Sequence, residues 1–458
     1  MSSLSASEKQ YQKMIYSPIP KLVTSLAVPA MISNIITILY NTADTFFVSQ
    51  INESASAAVG VVYSIMAVLQ AVGYGLGMGS SSLVSRLLGK KQNQDANVIA
   101  SSSFYFSISA GLLVGVLCLS VLEPLLKLIG ASETMLPYAI PYARIILLAA
   151  PLSCSSFVLS ALLRSEGNAK LCMWSSLASS VLNIILDPIL IFSLDMGSGG
   201  AALATIISQI VNWGILFYVY VSGKSIVKLH FQYISKSWKT YKTVIITGSP
   251  TILRQGLGSL SATALNVSAV VYGDATVAAI TIAGKVYTLV RQLIMGIGSG
   301  FQPVSGYNYG AGQKKRAFGA FRFSVFAGSV ICTAAAIIIA FTAEPIIRWF
   351  NDSPDVVRIG TQTLLISCAA MPFLAFSTYV NQLYQCLGFA KIANLLASCR
   401  QGTFFMPIIL ILPRIIGVLG VQVTQSLSDV LTFCVCLPFA IRFYRREIMG
   451  STETQNHL

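Results

Sequence analysis

Of 458 residues, 55% are hydrophobic and only 10% are charged, whereas an ordinary soluble domain carries about 25% charged residues, so this chain cannot wet a surface of its own. Its formal net charge of +14 does not mark a nucleic-acid binder, which needs a basic face with polar or aromatic readout groups; here the basic residues sit in short segments between apolar runs. Apolar runs of about 20 residues, each able to cross about 30 Å of hydrocarbon as a helix, recur along the chain and make lipid its solvent.

Residues 1–20 are polar and read as a tail rather than a cleavable signal. Apolar windows then predict spans over 22–48, 55–84, 97–122, 135–163, 171–194 and 199–222, a first lobe over 21–222. A basic, amphipathic linker over 223–242 is expected to lie along the headgroups. Spans over 243–271, 276–305, 318–343, 358–388, 393–413 and 417–441 make a second lobe over 243–443, followed by a tail over 444–458. Twelve spans place both ends on one side. That side holds 21 of the 30 Lys and Arg residues, the opposite side five, and four lie within spans. Positive residues stay cytoplasmic, so both termini are expected inside the cell.

The chain repeats itself at an offset of 221 residues. Pro29 pairs with Pro250, Gly75, Gly77 and Gly79 with Gly296, Gly298 and Gly300, Glu123 and Pro124 with Glu344 and Pro345, and Pro151 with Pro372. Two units of six spans enter the membrane in the same orientation, so a pseudo-two-fold axis along the membrane normal must relate them. The expected fold is an all-α integral membrane protein of two six-helix bundles. Such a pair leaves a central cleft, which favours transport over passive conduction.

Thirteen of the 16 acids fall in tails, loops or span ends; Asp44, Asp187 and Asp429 lie within spans. A charge at the bilayer centre costs roughly 2.5–3.5 kcal/mol on insertion scales, so each needs a reason. Asp187 follows Asn183 by four residues, which stacks both on one helix face. Pro188 removes a backbone donor and frees a carbonyl beside the acid. Carboxylate, amide and carbonyl oxygens suit a proton or a sodium ion, and Thr205 on the sixth span can add a hydroxyl. Asp44 reads either as an interfacial residue or as a partner in ion binding, with Pro29 as a bend upstream. Asp429, opposite Ser208 in the repeat, reads as an interhelical hydrogen bond.

The repeat partners of Asp44 and Asp187 are Leu265 and Ile408, so the second unit lacks both acids and instead carries Arg254, Lys285 and Arg291 within its spans. These cations either balance cargo in the cleft or snorkel and pair locally. The run Gly73-Tyr-Gly-Leu-Gly-Met-Gly79 lies inside an apolar span with no strand before it and reads as close helix packing rather than a nucleotide loop. No Walker A motif occurs, the nine cysteines form no CxxC pair, and the histidines are His230 in the linker and His457 in the tail. No enzyme, resident metal or cofactor is expected.

Three segments carry a resemblance to a known family: Asn41-Thr-Ala-Asp-Thr-Phe-Phe-Val48, Asn183-Ile-Ile-Leu-Asp-Pro188, and Gly300-Phe-Gln-Pro-Val-Ser-Gly-Tyr-Asn-Tyr-Gly-Ala-Gly312. Together with the duplication, they resemble the multidrug and toxic compound extrusion (MATE) family of cation-coupled antiporters over residues 20–445. The resemblance implies two lobes in a V and a monomer in the cell membrane. It also implies alternating access that exports drug-like, often cationic, molecules in exchange for H+ or Na+. It places the cation site at Asp44, Asn183, Asp187 and Thr205 and a bend at Pro29. Some family members carry acids in the seventh and tenth helices, and this chain has none there. The alternative within the same superfamily is a lipid-linked oligosaccharide flippase, which Arg254, Lys285 and Arg291 keep open.

Overall fold

The computed structural model describes residues 6–449; the outer parts of both tails, including His457, lie outside the described residues. Sixteen α-helices account for nearly all of it, and no strand occurs among the described residues. In the first unit they are α1 (Ala6–Tyr16), α2 (Ile19–Ser49), α3 (Glu53–Gly89), α4 (Asn93–Ser120), the short α5 (Leu122–Leu128), α6 (Leu136–Leu148), α7 (Ala150–Ser165), α8 (Ala169–Pro188) and α9 (Gly197–Val221). The second unit holds α10 (Trp238–Val270), α11 (Asp274–Gly310), α12 (Lys314–Phe350), α13 (Pro354–Leu387), α14 (Ala390–Ser398), α15 (Phe405–Ile416) and α16 (Val418–Phe443).

Local chemistry marks the ends and breaks. Asn52 caps α3 by accepting from the Ala55 amide at 2.7 Å. Pro354 opens α13 in the first turn, where a missing N–H costs nothing, and Gly388 closes it at φ +93°. Pro151 cannot donate into the preceding turn, and α6 and α7 form one span bent by 51° at Ala149. After Pro188 the fifth span relaxes into a π-turn over Ile189–Ser193, and a second π-turn, Cys399–Phe404, joins α14 to α15.

Ten helical segments among the described residues are long and apolar enough to cross a membrane, and the bent α6–α7 pair makes an eleventh. The twelfth is α10, whose 33 residues carry Arg254 and Gln255 among many hydroxyl side chains. Twelve membrane-length helices therefore form two six-helix units. Leu113, Ile338 and Phe341 are among the large apolar side chains left exposed on the outer faces, as lipid contact requires.

The repeat is visible in the contacts, through glycines that hold the two units together. A Cβ on Gly75 would strike Ile252, and one on Gly296 would strike Met31. Likewise Gly79 meets Gly248 while Gly300 meets Ala27, and Gly89 meets Tyr307 while Gly310 meets Arg86. Each contact has its twin at the 221-residue offset, so the two-fold relation is physical. The four glycines of the 73–79 run serve two faces: Gly73 and Gly77 seat α7 through Phe157, while Gly75 and Gly79 seat α10.

These contacts lie in the half of the membrane nearer the chain termini. There one core includes Leu22, Leu26 and Leu88 of the first unit with Val244, Phe301 and Tyr307 of the second. Toward the opposite face the first unit has its own core around Val62, Tyr142 and Leu147, and the second a small one around Phe405 and Ile409. The units converge on the terminal side and part on the other, which is the V.

Two expectations change on that terminal side. The polar N-terminal segment contains α1, which bridges both units: Gln10 donates to the Glu166 carbonyl at 2.6 Å, Asn308 donates to the Met14 carbonyl at 3.2 Å, and Arg316 donates to the Ser17 carbonyl at 2.7 Å. The linker also makes specific contacts to the first unit. Ser225 Oγ and the Ile226 and Val227 amides donate to the fully buried Glu166 carboxylate at 2.7, 2.9 and 3.3 Å, and the Lys228 amide donates to Asn97 Oδ1 at 2.8 Å. Sequence patterning placed Glu166 in a loop, because nothing local reveals that the linker folds over it. The linker is also shorter than 223–242, since α10 starts at Trp238.

Burial pushes the Glu166 carboxyl up from 4.5 to about 7, against the opposing effect of its three donors. A carboxyl raised in the folded state binds its proton more tightly there, so stability is greatest below about pH 4.5 and falls as the pH rises through about 7. Thermal unfolding of the detergent-solubilised protein should show this decline, at most about 1.4 kcal/mol per pH unit, relative to a flatter Glu166→Gln variant. In the same assay, Gly79→Ala should cost about 1–3 kcal/mol by overpacking. Gly214→Ala, where a Cβ meets nothing within 4 Å, should be neutral or stabilising by up to about 1 kcal/mol.

Candidate functional site: a polar cleft with an unbalanced carboxylate

Between the units lies a cavity of about 470 Å³ lined from both sides. Asn34, Asn41, Gln70, Asn183 and Thr205 are among its first-unit residues, and Arg254, Gln255, Arg291 and Gln292 among those from the second. In a protein this apolar, so many amides and cations on one surface mark a wet cleft.

On the first-unit side, α8 carries Asn183, which lines the cavity, and Asp187 one turn further along and behind the lining, both buried. Asn183 Nδ2 donates to Asp187 Oδ1 at 3.2 Å. The other oxygen of each group, Asp187 Oδ2 and Asn183 Oδ1, is buried with no hydrogen-bond donor. No Lys or Arg lies within ion-pair distance of Asp187 among the described residues. Thr205, on α9, is buried and lines the same cavity as Asn183. Asp44, on α2, is half-buried, and its Oδ1 likewise has no donor. It lies within electrostatic range of Asp187.

Tyr142 on α6 lies within electrostatic range of both acids. It is fully buried, has its hydroxyl within hydrogen-bonding reach of Asp44, and feels the charge of both carboxylates. Sequence reading did not single it out, because a tyrosine in an apolar span looks like packing. Its phenol in an otherwise apolar turn of α6 was the available signal.

The prolines sit as follows. Pro29 is buried inside α2, which runs through it as one helix, and the Ser33 hydroxyl caps the Pro29 carbonyl at 2.9 Å. Pro188 ends α8 directly after Asp187.

Of the three second-unit cations, Arg254 and Arg291 line the cavity, whereas Lys285 is exposed and absent from its lining. Asp429 makes more than an interhelical hydrogen bond. It is fully buried and paired with Arg400 Nε at 2.7 Å; Tyr287 OH donates to its Oδ2 at 2.5 Å and Gln425 Nε2 to its Oδ1 at 3.2 Å. Arg400 Nη2 donates to Tyr287 OH at 2.6 Å, which closes the triad. The repeat partners of Arg400 and Asp429 are Ser179 and Ser208, which also touch: Ser179 Oγ donates to the Ser208 carbonyl at 2.8 Å. One interhelical bond of the ancestral unit is thus an ion pair in one copy and a serine link in the other. Among the described residues, no three His, Cys, Asp or Glu side chains cluster as metal ligands.

A family model described as MatE matches residues 29–189 and again 250–410, two copies separated by the repeat offset of 221. The multidrug export protein MepA of Staphylococcus haemolyticus is 27% identical over 432 residues, covering 94% of each chain. MepA of Staphylococcus aureus strain MSSA476 is 27% identical over 409 residues, 88% of this chain and 90% of that one. Among solved structures, a multidrug resistance MATE family transporter in an outward-facing conformation shares the fold, with a TM-score of 0.91 at 24% identity, covering 97% of this chain and 99% of that one. A MATE in complex with MaL6 gives a TM-score of 0.91 at 25% identity, over 96% and 99%.

Truncating Asp429 to Ala would leave Arg400 buried and uncompensated, so Asp429→Ala should lower unfolding stability in detergent by about 3–5 kcal/mol. With the family matched over both halves of the chain in the register of its own repeat, the chain belongs to the MatE family.

Proposed function

We propose that the chain is a secondary active exporter of drug-like organic molecules in the plasma membrane, with both termini cytoplasmic, driven by inward flow of H+ or Na+. One observation carries the reading. Asp187 is a buried carboxylate with one oxygen lacking a donor and no basic residue beside it, next to an amide oxygen in the same condition. An uncompensated charge at that depth is costly, so a small cation has to neutralise it. A proton on Oδ2 meets the need, as does a sodium ion shared with Asn183 Oδ1. Asp44, Thr205 and Tyr142 complete a polar wall around the pair.

Coupling then follows from geometry. The units are sealed against each other on the terminal side and part on the opposite one, so the cleft opens away from the cytoplasm in this conformation. Ion and cargo exchange because each prefers a different conformation, and a ligand shifts an equilibrium only by differential affinity. The MepA proteins, named for multidrug export, cover nearly the whole chain and support drug-like cargo. Pro29, within the glycine seam between Ala27 and Met31, supplies a weak point in the helix that carries Asp44.

A second reading, translocation of a lipid-linked oligosaccharide, is favoured only by the arginines in the cleft. A strain lacking the gene separates the two: drug sensitivity with an intact envelope supports export, and an envelope defect with unchanged drug sensitivity supports the flippase. In everted vesicles driven in turn by a pH gradient and a sodium gradient, the wild type should export a fluorescent drug with one of them. Asp187→Asn should insert normally and lose that response. Wild-type rates in the variant would overturn the proposed coupling site.

A further inference from the structure

Arg254 is the seventeenth of 33 residues in α10, and Arg291 the eighteenth of 37 in α11. Both therefore sit near mid-span, too deep to reach the headgroups by snorkelling. Both line the cleft, and the Nε of each is buried without an acceptor. Among the described residues, the side-chain hydrogen-bond partners of Arg254 are the neutral Asn381 Oδ1 at 3.3 Å and Thr251 Oγ1 at 3.5 Å, long distances for a guanidinium. Neither has a carboxylate within ion-pair distance among the described residues.

Counter-charge is not missing from this unit by general design. Arg400 has Asp429, and that acid is fully occupied by Arg400, Tyr287 and Gln425. Arg254 feels the like charges of Arg291 and Arg400, while Arg291 feels Arg400 together with Tyr287 and the Asp429 carboxylate of the triad, which already pairs with Arg400. The repeat partners of Arg254 and Arg291 are Ser33 and Gln70, which are neutral and line the same cavity. These two charges have no counterpart at the same positions of the first unit, whose basic contribution to the lining is Arg164, and no carboxylate among the described residues lines the cavity to offset them.

Taking the export reading as its basis, we propose that the second-unit wall of the cleft is an anion-binding subsite, in which Arg254 and Arg291 receive a carboxylate or phosphate group of the cargo. A guanidinium presents a planar fork of donors that matches either group, and pairing at a partly buried mid-span position is stronger than at a fully solvated surface. The preferred cargo is then zwitterionic or anionic rather than purely cationic. Binding of the anion supplies the compensation that the fold withholds from these two side chains, while the carboxylates of the first unit remain free for the driving ion.

The test is equilibrium binding to the purified full-length protein of a matched pair of probes, a fluoroquinolone acid and its methyl ester. The wild type should bind the acid at least about tenfold more tightly than the ester. Arg254→Gln and Arg291→Gln should each erase that preference, and Arg254→Lys, which keeps the charge without the fork, should restore part of it. Equal binding of acid and ester by the wild type, or arginine variants that retain the preference, would overturn the subsite. Repeating the titration in phosphatidylcholine vesicles with and without phosphatidylglycerol identifies the natural anion: competition by the anionic lipid assigns the subsite to a lipid phosphate, and indifference assigns it to a soluble cargo. Ion-driven export of the ester alone at the full rate sinks the subsite and leaves the exporter standing, whereas the acid preference in a protein that exports neither probe sinks the exporter and leaves the subsite.

Discussion

The structure depends on two backbones approaching closer than a methyl group allows. Gly75 and Gly79 let α3 sit on α10, Gly296 and Gly300 let α11 sit on α2, and Gly89 with Gly310 lets α3 and α11 close on each other. In lipid there is no hydrophobic drive to bring helices together, so close packing of small residues has to supply the attraction. Because the seam occupies only the terminal half of the membrane, the opposite half is free to part. A cleft exists where the glycines stop.

The two halves that share this seam have divided their charges. The first unit keeps two acids without ion-pair partners among the described residues, Asp44 and Asp187, with Tyr142 within electrostatic range of both, and adds Arg164 to the cavity lining. The second keeps arginines, one neutralised by Asp429 and two facing the cleft. Duplication explains the common scaffold, and divergence after duplication explains the polarity. A cleft with a cation-seeking wall and an anion-seeking wall can hold its driving ion and a charged cargo at separate positions, so the two need not collide to exclude one another. Exchange can proceed through the shape of the cleft.

The terminal face adds a second layer of closure. Helix α1 hydrogen-bonds to the Glu166 loop of one unit and to Asn308 and Arg316 beside the other. Arg86 of the first unit donates to the Leu387 carbonyl of the second at 2.8 Å. The linker is pinned by Glu166 beneath the same face. A conformation that opens the cleft on this side must part the contacts that cross between the units, among them the Arg86 bond and the glycine seam, so the closed state here is held by many small terms rather than one.

Much of this was legible in the residues. Apolar run lengths declared the membrane, because only an internally hydrogen-bonded helix survives in hydrocarbon. The register of Pro29 with Pro250 and of the glycine triplets declared the duplication and its axis, and Asn183 with Asp187 declared a polar face by helical spacing alone. Other features belong to tertiary structure. Glu166 looked like a loop acid until the linker, some 60 positions later in sequence, folded over it. Tyr142 looked like packing until the fold brought it within range of Asp44 and Asp187, Asp429 looked like an interhelical hydrogen bond until the π-turn at Cys399–Phe404 brought Arg400 to it, and Lys285 and Arg291 were alike until one faced outward. Periodicity and repeat are properties of neighbours along the chain, so the amino-acid order determines them. Charge balance is a property of neighbours in space, and only the packed helices decide which ionised groups find a partner and which are left to bind one.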